Sequence, residues 1–444
     1  MNHLKINKSN NFIYYELTLL ICLAISHTLS LGIVSVAITG VILILLLFQD
    51  IERTTIMTFV ALPYFHLFNA NIQSTSLFYV FILVFFIKFF TSKKTKVNKI
   101  KIMVLATIIL LRIPSGSFDV LFKWFLLFGF FICIYDEDFF INNINKIIKF
   151  LTISFLLSSI CGYYMENHGV KLYGNQMVYN KNGGTHRFAG LIGDAVFFSQ
   201  FCVILIAFNY LSMYYNKIKV WNIVIIVLLH YFMILSYSKT GIILSIFSFA
   251  IYILSILVKN ANCKKNAYKS IIIFIFTLFI ILFSINYIIN NTHNEVINNY
   301  VTRFTNKDLS TGRVDINAHY INMIKKDWKC IFCAMSYEKY TTPFLPNSSM
   351  NVYINKSHNV FIETLCTFGV IPAFIIFFWL IKNCCKSIIN KRKIINLLPF
   401  ITLMLSGIGL HGNFEYQYYF LVALCTCVFT KKDIKVIFEN SQKE

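Results

Sequence analysis

Apolar runs bounded by charge or by Asn, Gly and Pro clusters predict fourteen helices, near residues 13–30, 32–48, 53–70, 75–90, 100–114, 118–135, 147–164, 189–210, 219–236, 239–258, 269–289, 358–381, 394–411 and 414–430. A bilayer core of about 30 Å needs about 20 apolar residues per crossing, and several of these runs are short. The pairs at 13–48 and 394–430 are separated by only a few residues and read as helical hairpins. Strands are excluded, because backbone groups left unsatisfied in lipid are costly and only a helix or a closed barrel satisfies them all. The expected fold is therefore all-α, a polytopic membrane helix bundle of about 14 transmembrane helices (12–14). Its expected division is eleven helices over 1–289, a large outer loop over 290–357, and three helices with a tail over 358–444.

Composition agrees: 57% of the 444 residues are hydrophobic and only 13% charged. Soluble chains run at about 45–50% and about 25%. A net charge of +21 would point to nucleic acid in a soluble protein, but most of it sorts to one side of a membrane. With the N-terminus inside, 26 of the 40 Lys and Arg residues fall on inner segments, and the short outer ones hold Arg112, Lys171, Lys181, Arg187 and Lys239. That bias places both termini in the cytoplasm and removes nucleic acid as a partner. No small-residue cleavage site follows Ser26 to Leu31, so the first helix is expected to be retained.

Two outer segments are long, about 165–188 and 290–357, and loops of such length are usually functional or disordered. In the second, Ile316, Tyr320, Ile324 and Trp328 recur every four residues and predict one face of an amphipathic helix. Seven of the twelve cysteines, Cys22, Cys133, Cys161, Cys202, Cys366, Cys425 and Cys427, read as small buried apolar residues. Cys330 and Cys333 stand in the outer loop, where a local disulfide and simple burial both fit.

The polar residues at the outer face carry the candidate chemistry. Thr185-His186-Arg187-Phe188-Ala189-Gly190 precedes Gly193-Asp194 and a span; Arg187 fits either a forked phosphate ligand or a snorkelling anchor. Ser238-Lys239-Thr240-Gly241 fills a tight outer turn. Ser310-Thr311-Gly312-Arg313 heads the amphipathic helix, where an Arg opposes the helix dipole and an anion would offset it, although a solvated Arg fits as well. Ser357-His358-Asn359 leads back into the membrane with Glu363 one turn on, and His358 can move a proton near neutral pH or serve structurally. His66 and His230 read as structural. The chain lacks a P-loop, G-x-S-x-G, H-E-x-x-H and any acidic pair in the outer loops that would hold a divalent metal. No cofactor or metal is expected.

Taken in order, Arg187 to Gly190, Ser238 to Gly241, Gly312-Arg313, and His358-Asn359 followed by Gly369 resemble the O-antigen polymerase and O-antigen ligase superfamily over roughly residues 185–380. The chain departs from that pattern at Lys239, usually Arg, and at Cys330 to Met335, which lacks the Pro and paired Gly that commonly follow the loop helix. The resemblance implies a GT-C-like glycosyltransferase of the bacterial inner membrane, working at the periplasmic face on undecaprenyl-pyrophosphate-linked glycans. It implies a long periplasmic loop with short helices, membrane lipid as surroundings, and a polysaccharide chain-length regulator and a flippase as candidate partners. In that reading His358 is the catalytic base, Arg187, Arg313 and Lys239 hold the pyrophosphate, and Asn359 and Glu363 position the glycan or His358. Span number and the Ile/Asn/Lys-rich composition look more like a polymerase than a ligase acting on lipid A core. A lipid-linked oligosaccharide flippase is the rival of another class, but two related halves are not evident.

Overall fold

The structure, a computed structural model, describes residues 3–68, 76–95, 99–113, 116, 118–172, 175–176, 187–216, 219–261, 301, 313–342, 356–389, 393–409 and 416–429. Among them it is helical, apart from one antiparallel ladder pairing Lys171–Leu172 with Asn175–Gln176. The first half comprises α1 (His3–Thr28), α2 (Gly32–Leu47), α3 (Ile51–Ala61), α4 (Phe78–Thr91), α5 (Lys99–Arg112), α6 (Phe118–Ile134) and α7 (Asp138–Asn167). The second comprises α8 (Ala195–Tyr215), α9 (Val220–Leu235), α10 (Lys239–Ala261), α11 (Arg313–Lys326), the single turn α12 (Tyr337–Tyr340), α13 (Val360–Phe368), α14 (Val370–Ile389), α15 (Leu398–Ser406) and α16 (Tyr416–Thr426).

Helix α8 is the centre because it is apolar on every side, and a helix of that kind must be surrounded. Its residues from Phe197 to Leu211 are buried without a break, and α9, α10 and α15 pack around it. Two side-chain hydrogen bonds tie helices together inside: Gln200 Nε2 donates to Ser406 Oγ at 2.6 Å, joining α8 to α15, and Trp124 Nε1 donates to Tyr419 OH at 2.7 Å, joining α6 to α16. Such cross-helix bonds matter where no water is available to satisfy the groups instead. On the outside the polarity is reversed. Along α14, Ile371, Phe374, Ile375, Phe378 and Ile381 form an exposed apolar stripe, a surface suited to lipid and unusual for one facing water.

Three helices, Asp138–Asn167, Ala195–Tyr215 and Lys239–Lys259, are long and apolar enough to cross a membrane, and six shorter apolar helical stretches accompany them. Every expected span falls on helix except that at 269–289, which lies outside the described residues together with the boundary at 289. Some are broken. The run at 53–70 is α3 followed by a 3-10 turn at Leu62–Phe68, and that at 358–381 divides at Gly369 into α13 and α14. Gly369 has φ +93°, and a Cβ there would stand 2.7 Å from Cys333 N and 2.9 Å from Cys333 O, so the outer loop leans directly on backbone at this junction.

Two details depart from the sequence expectations. Ile316 and Tyr320 are buried and Ile324 partly so, but Trp328 is 68% exposed. The helix stops at Lys326, and Asp327 turns extended to cap a 3-10 turn by accepting from Lys329 N–H at 3.2 Å, which rotates Trp328 off the helical face. The Lys339 ammonium donates to Asp327 at 3.0 Å and holds its carboxyl below the usual range. Cys22 is exposed rather than buried, because α1 turns that position to the outside of the bundle.

Candidate functional site

Arg187 and the Ser238–Gly241 turn form one structural unit. Arg187 is buried, its Nε donates to Ser236 O at 3.0 Å, and Phe188 N–H donates to Leu235 O at 2.9 Å, so the strand of chain before α8 is fastened to the end of α9. Two residues on, Tyr237 adopts φ +48° to reverse the chain, and Ser238 Oγ accepts from Gly241 N–H at 3.2 Å to start α10. Gly241 is the size limit of this corner: a Cβ there would lie 3.0 Å from Ser199 Cβ on α8. Lys239, half-buried, is the first residue of α10. Asp194 does not serve as a ligand in this arrangement; its Oδ1 caps α8, accepting from Val196 and Phe197 N–H at 2.7 and 3.0 Å.

Arg313 reaches the same corner from the outer loop. It begins α11, which sits over α13 through a small apolar cluster of Ile316, Tyr320, Cys330, Met335, Tyr340, Ile362 and Cys366. Its guanidinium lies against Gly409: a Cβ there would stand 2.7 Å from Arg313 Nη1 and 3.4 Å from Thr240 Oγ1. The 3-10 turn Gly407–Gly409 thus lies close to both Arg313 and Thr240, the neighbour of Lys239. The same turn supports α13, since a Cβ on Gly407 would lie 3.3 Å from Val360 Cβ.

His358 stands two residues before Val360, half-buried and with φ +49°. Its flanks are tied down. Asn359 Oδ1 caps α13, accepting from Phe361 and Ile362 N–H at 2.9 and 3.3 Å, and Glu363, fully buried, accepts from the Tyr340 hydroxyl at 3.3 Å. Asn359 and Glu363 are therefore committed to the local frame of His358. Arg187 and Arg313 thus both reach the chain around the start of α10, at Ser236 O and beside Thr240, and the turn that Arg313 lies against also touches Val360, two residues after His358.

Two participants escape the sequence. Arg112, counted there as an outer cation, ends α5 fully buried: Nη1 donates to Thr367 O at 3.2 Å, Cζ lies 4.6 Å over the Trp124 ring, and the charge interacts with Glu363. A lone Arg in an apolar run is the signal that could have found it. Tyr340 carries no comparable signal. The thiols of Cys330 and Cys333 are free; Cys330 is buried, and Cys333 Sγ donates to Lys329 O at 3.2 Å. No group of three or more His, Cys, Asp or Glu that could hold a metal occurs among the described residues. His66 and His230 bond to helix backbone, at Ile192 O and Ile226 O. His186 and Arg303 lie outside the described residues. Comparison with protein-family models, with curated proteins and with solved structures finds no match.

Proposed function

We propose that the chain is a membrane glycosyltransferase of the O-antigen polymerase type. It would join undecaprenyl-pyrophosphate-linked repeat units at the periplasmic face of the inner membrane, with about fourteen spans and both termini cytoplasmic. The observation that carries this reading is that Arg187 and Arg313, distant in sequence, flank the start of α10 where Lys239 stands, with Arg313 lying against the same short turn that touches the helix following His358.

The chemistry needs a base on one side and fixed positive charge on the other. An acceptor sugar hydroxyl oxygen attacks the anomeric carbon of the donor, and the bond from that carbon to the pyrophosphate oxygen breaks. The hydroxyl proton passes to His358 as the new glycosidic bond forms. Undecaprenyl pyrophosphate leaves with its electron pair, and the cations stabilise the growing charge, usually the largest contribution in such sites. Asn359 and Glu363 serve by holding His358 in place.

Purified protein in detergent, where nothing can be transported, is expected to lengthen a lipid-linked repeat unit. Failure to do so with material that unfolds cooperatively would exclude the reading in favour of a flippase. In a deletion strain, lipopolysaccharide bearing a single repeat is the polymerase outcome, and complete loss of attached glycan would mark a ligase instead. A finer test concerns the Arg313 cradle. Gly409→Ala pushes a methyl into the guanidinium, and a misplacement of about 1 Å can cost on the order of a hundredfold in rate. Elongation within about twofold of the parent would show that Arg313 does not need that position.

A further inference from the structure

Non-glycine residues in the left-handed region are strained and persist only where their surroundings over-determine them. His358 is one, and the restraint on its C-terminal side is plain: α13 begins at once, with Asn359 as cap and Glu363 N–H donating back to Asn359 O at 2.9 Å. On its N-terminal side no helix or strand adjoins it. There Ser357 Oγ donates across His358 to Asn359 O at 3.2 Å, and a second restraint comes from the Tyr340 side chain. Ser357 is fully buried, and its N–H donates to the Tyr340 hydroxyl at 3.3 Å. The same hydroxyl donates to Glu363 Oε1 at 3.3 Å and lies 3.3 Å from Ser357 Oγ.

Tyr340 is itself firmly held. It ends α12, its ring lies 5.1 Å from that of Tyr320, and its carbonyl accepts from Tyr320 OH at 3.0 Å. Burial first, and the Glu363 carboxyl second, push the Tyr340 hydroxyl well above its ordinary pKa, so it keeps the proton that it donates. One oxygen is thereby shared between the residue before His358 and the first turn of the helix after it.

We propose that Tyr340 is a positioning residue for His358, its hydroxyl clamping Ser357 to Glu363 and so fixing the left-handed backbone between them. The imidazole then leaves the chain in one direction. This rests on the reading of His358 as the base, and the test separates the two. Tyr340→Phe keeps the ring packing and deletes the shared oxygen.

The measurements are hydrogen exchange of residues 356–362 and elongation kinetics on an undecaprenyl-pyrophosphate-linked repeat unit, both with full-length protein in detergent. In the variant, exchange over 356–362 is expected to rise about fivefold to tenfold, as for loss of one hydrogen bond, with α11 unchanged. Turnover is expected to fall on the order of tenfold with KM within about twofold. Unchanged exchange in the variant, or an unprotected Ser357 amide in the parent protein, overturns the clamp whatever the activity. Faster exchange with full turnover overturns the positioning role. If His358→Ala elongates as well as the parent, the catalytic reading of His358 falls, and the exchange data still judge the clamp.

Discussion

Replacing His358 with alanine is expected to abolish long-chain glycan in vivo while lipopolysaccharide with a single repeat persists. General base catalysis contributes about 10²–10⁴-fold, and the variant loses all of it, because Asn359 is occupied as a helix cap and Glu363 with Tyr340. In purified protein the loss should fall on kcat, with KM for the lipid-linked donor preserved by the three cations. Arg187→Ala should differ in kind. On the proposed reading it removes a charge held against the leaving group, and it also frees the end of α9 that Nε now holds, so both kcat and KM should suffer. Undiminished glycan ladders from both variants, with expression confirmed, would end the assignment.

The second large effect concerns stability. Arg112 fastens α5 to the last turn of α13 at Thr367 and covers the face of Trp124 in a place closed to water. Deleting a buried, hydrogen-bonded guanidinium leaves its acceptor unsatisfied, which costs about 1–3 kcal/mol and more for a charged partner. Arg112→Met is therefore expected to lower the melting temperature strongly, and Arg112→Lys to recover only part, since an ammonium cannot both fork to a carbonyl and stack on an indole. Arg112 also interacts electrostatically with Glu363, so Arg112→Met combined with Glu363→Gln is expected to be less damaging than the sum of the single changes. Additive losses across that cycle would show that the two charges are energetically independent.

These two residues also mark the limits of what sequence conveys. The apolar runs located the helices, because burial in lipid or in the bundle demands continuous apolar stretches whatever the tertiary arrangement. Arg187, Ser238–Gly241, Arg313 and His358 were legible as short polar elements at the ends of such runs. Their meeting place was not, since Gly409, on which Arg313 lies, belongs to a turn almost a hundred residues further along the chain. Periodicity misled at Trp328, because a cap at Asp327 ends the helix one residue before the pattern does. Arg112 was assigned to the outside by counting cations, and only its partner Thr367, 255 residues away, reveals it as internal. Asp194 and Asn359 were readable as polar residues near a site, and geometry assigns both to helix N-termini, a role their short side chains perform throughout proteins.

With His358 as the base proposed above, the left-handed backbone at position 358 sets selection for durability against selection for chemistry. Glycine would occupy that conformation without the strain of about 1–3 kcal/mol that a branched residue bears, but glycine has no imidazole. A laboratory search for hardier variants, scored by heat resistance alone, should drift toward His358→Gly and arrive at a sturdier protein that makes nothing. The same search scored by polymer length should hold the histidine and look for its gains at Asp136, strained in the same sense with φ +59° but far along the chain from every element of the site. Where the two searches part company is where the fold has been kept under tension for a purpose.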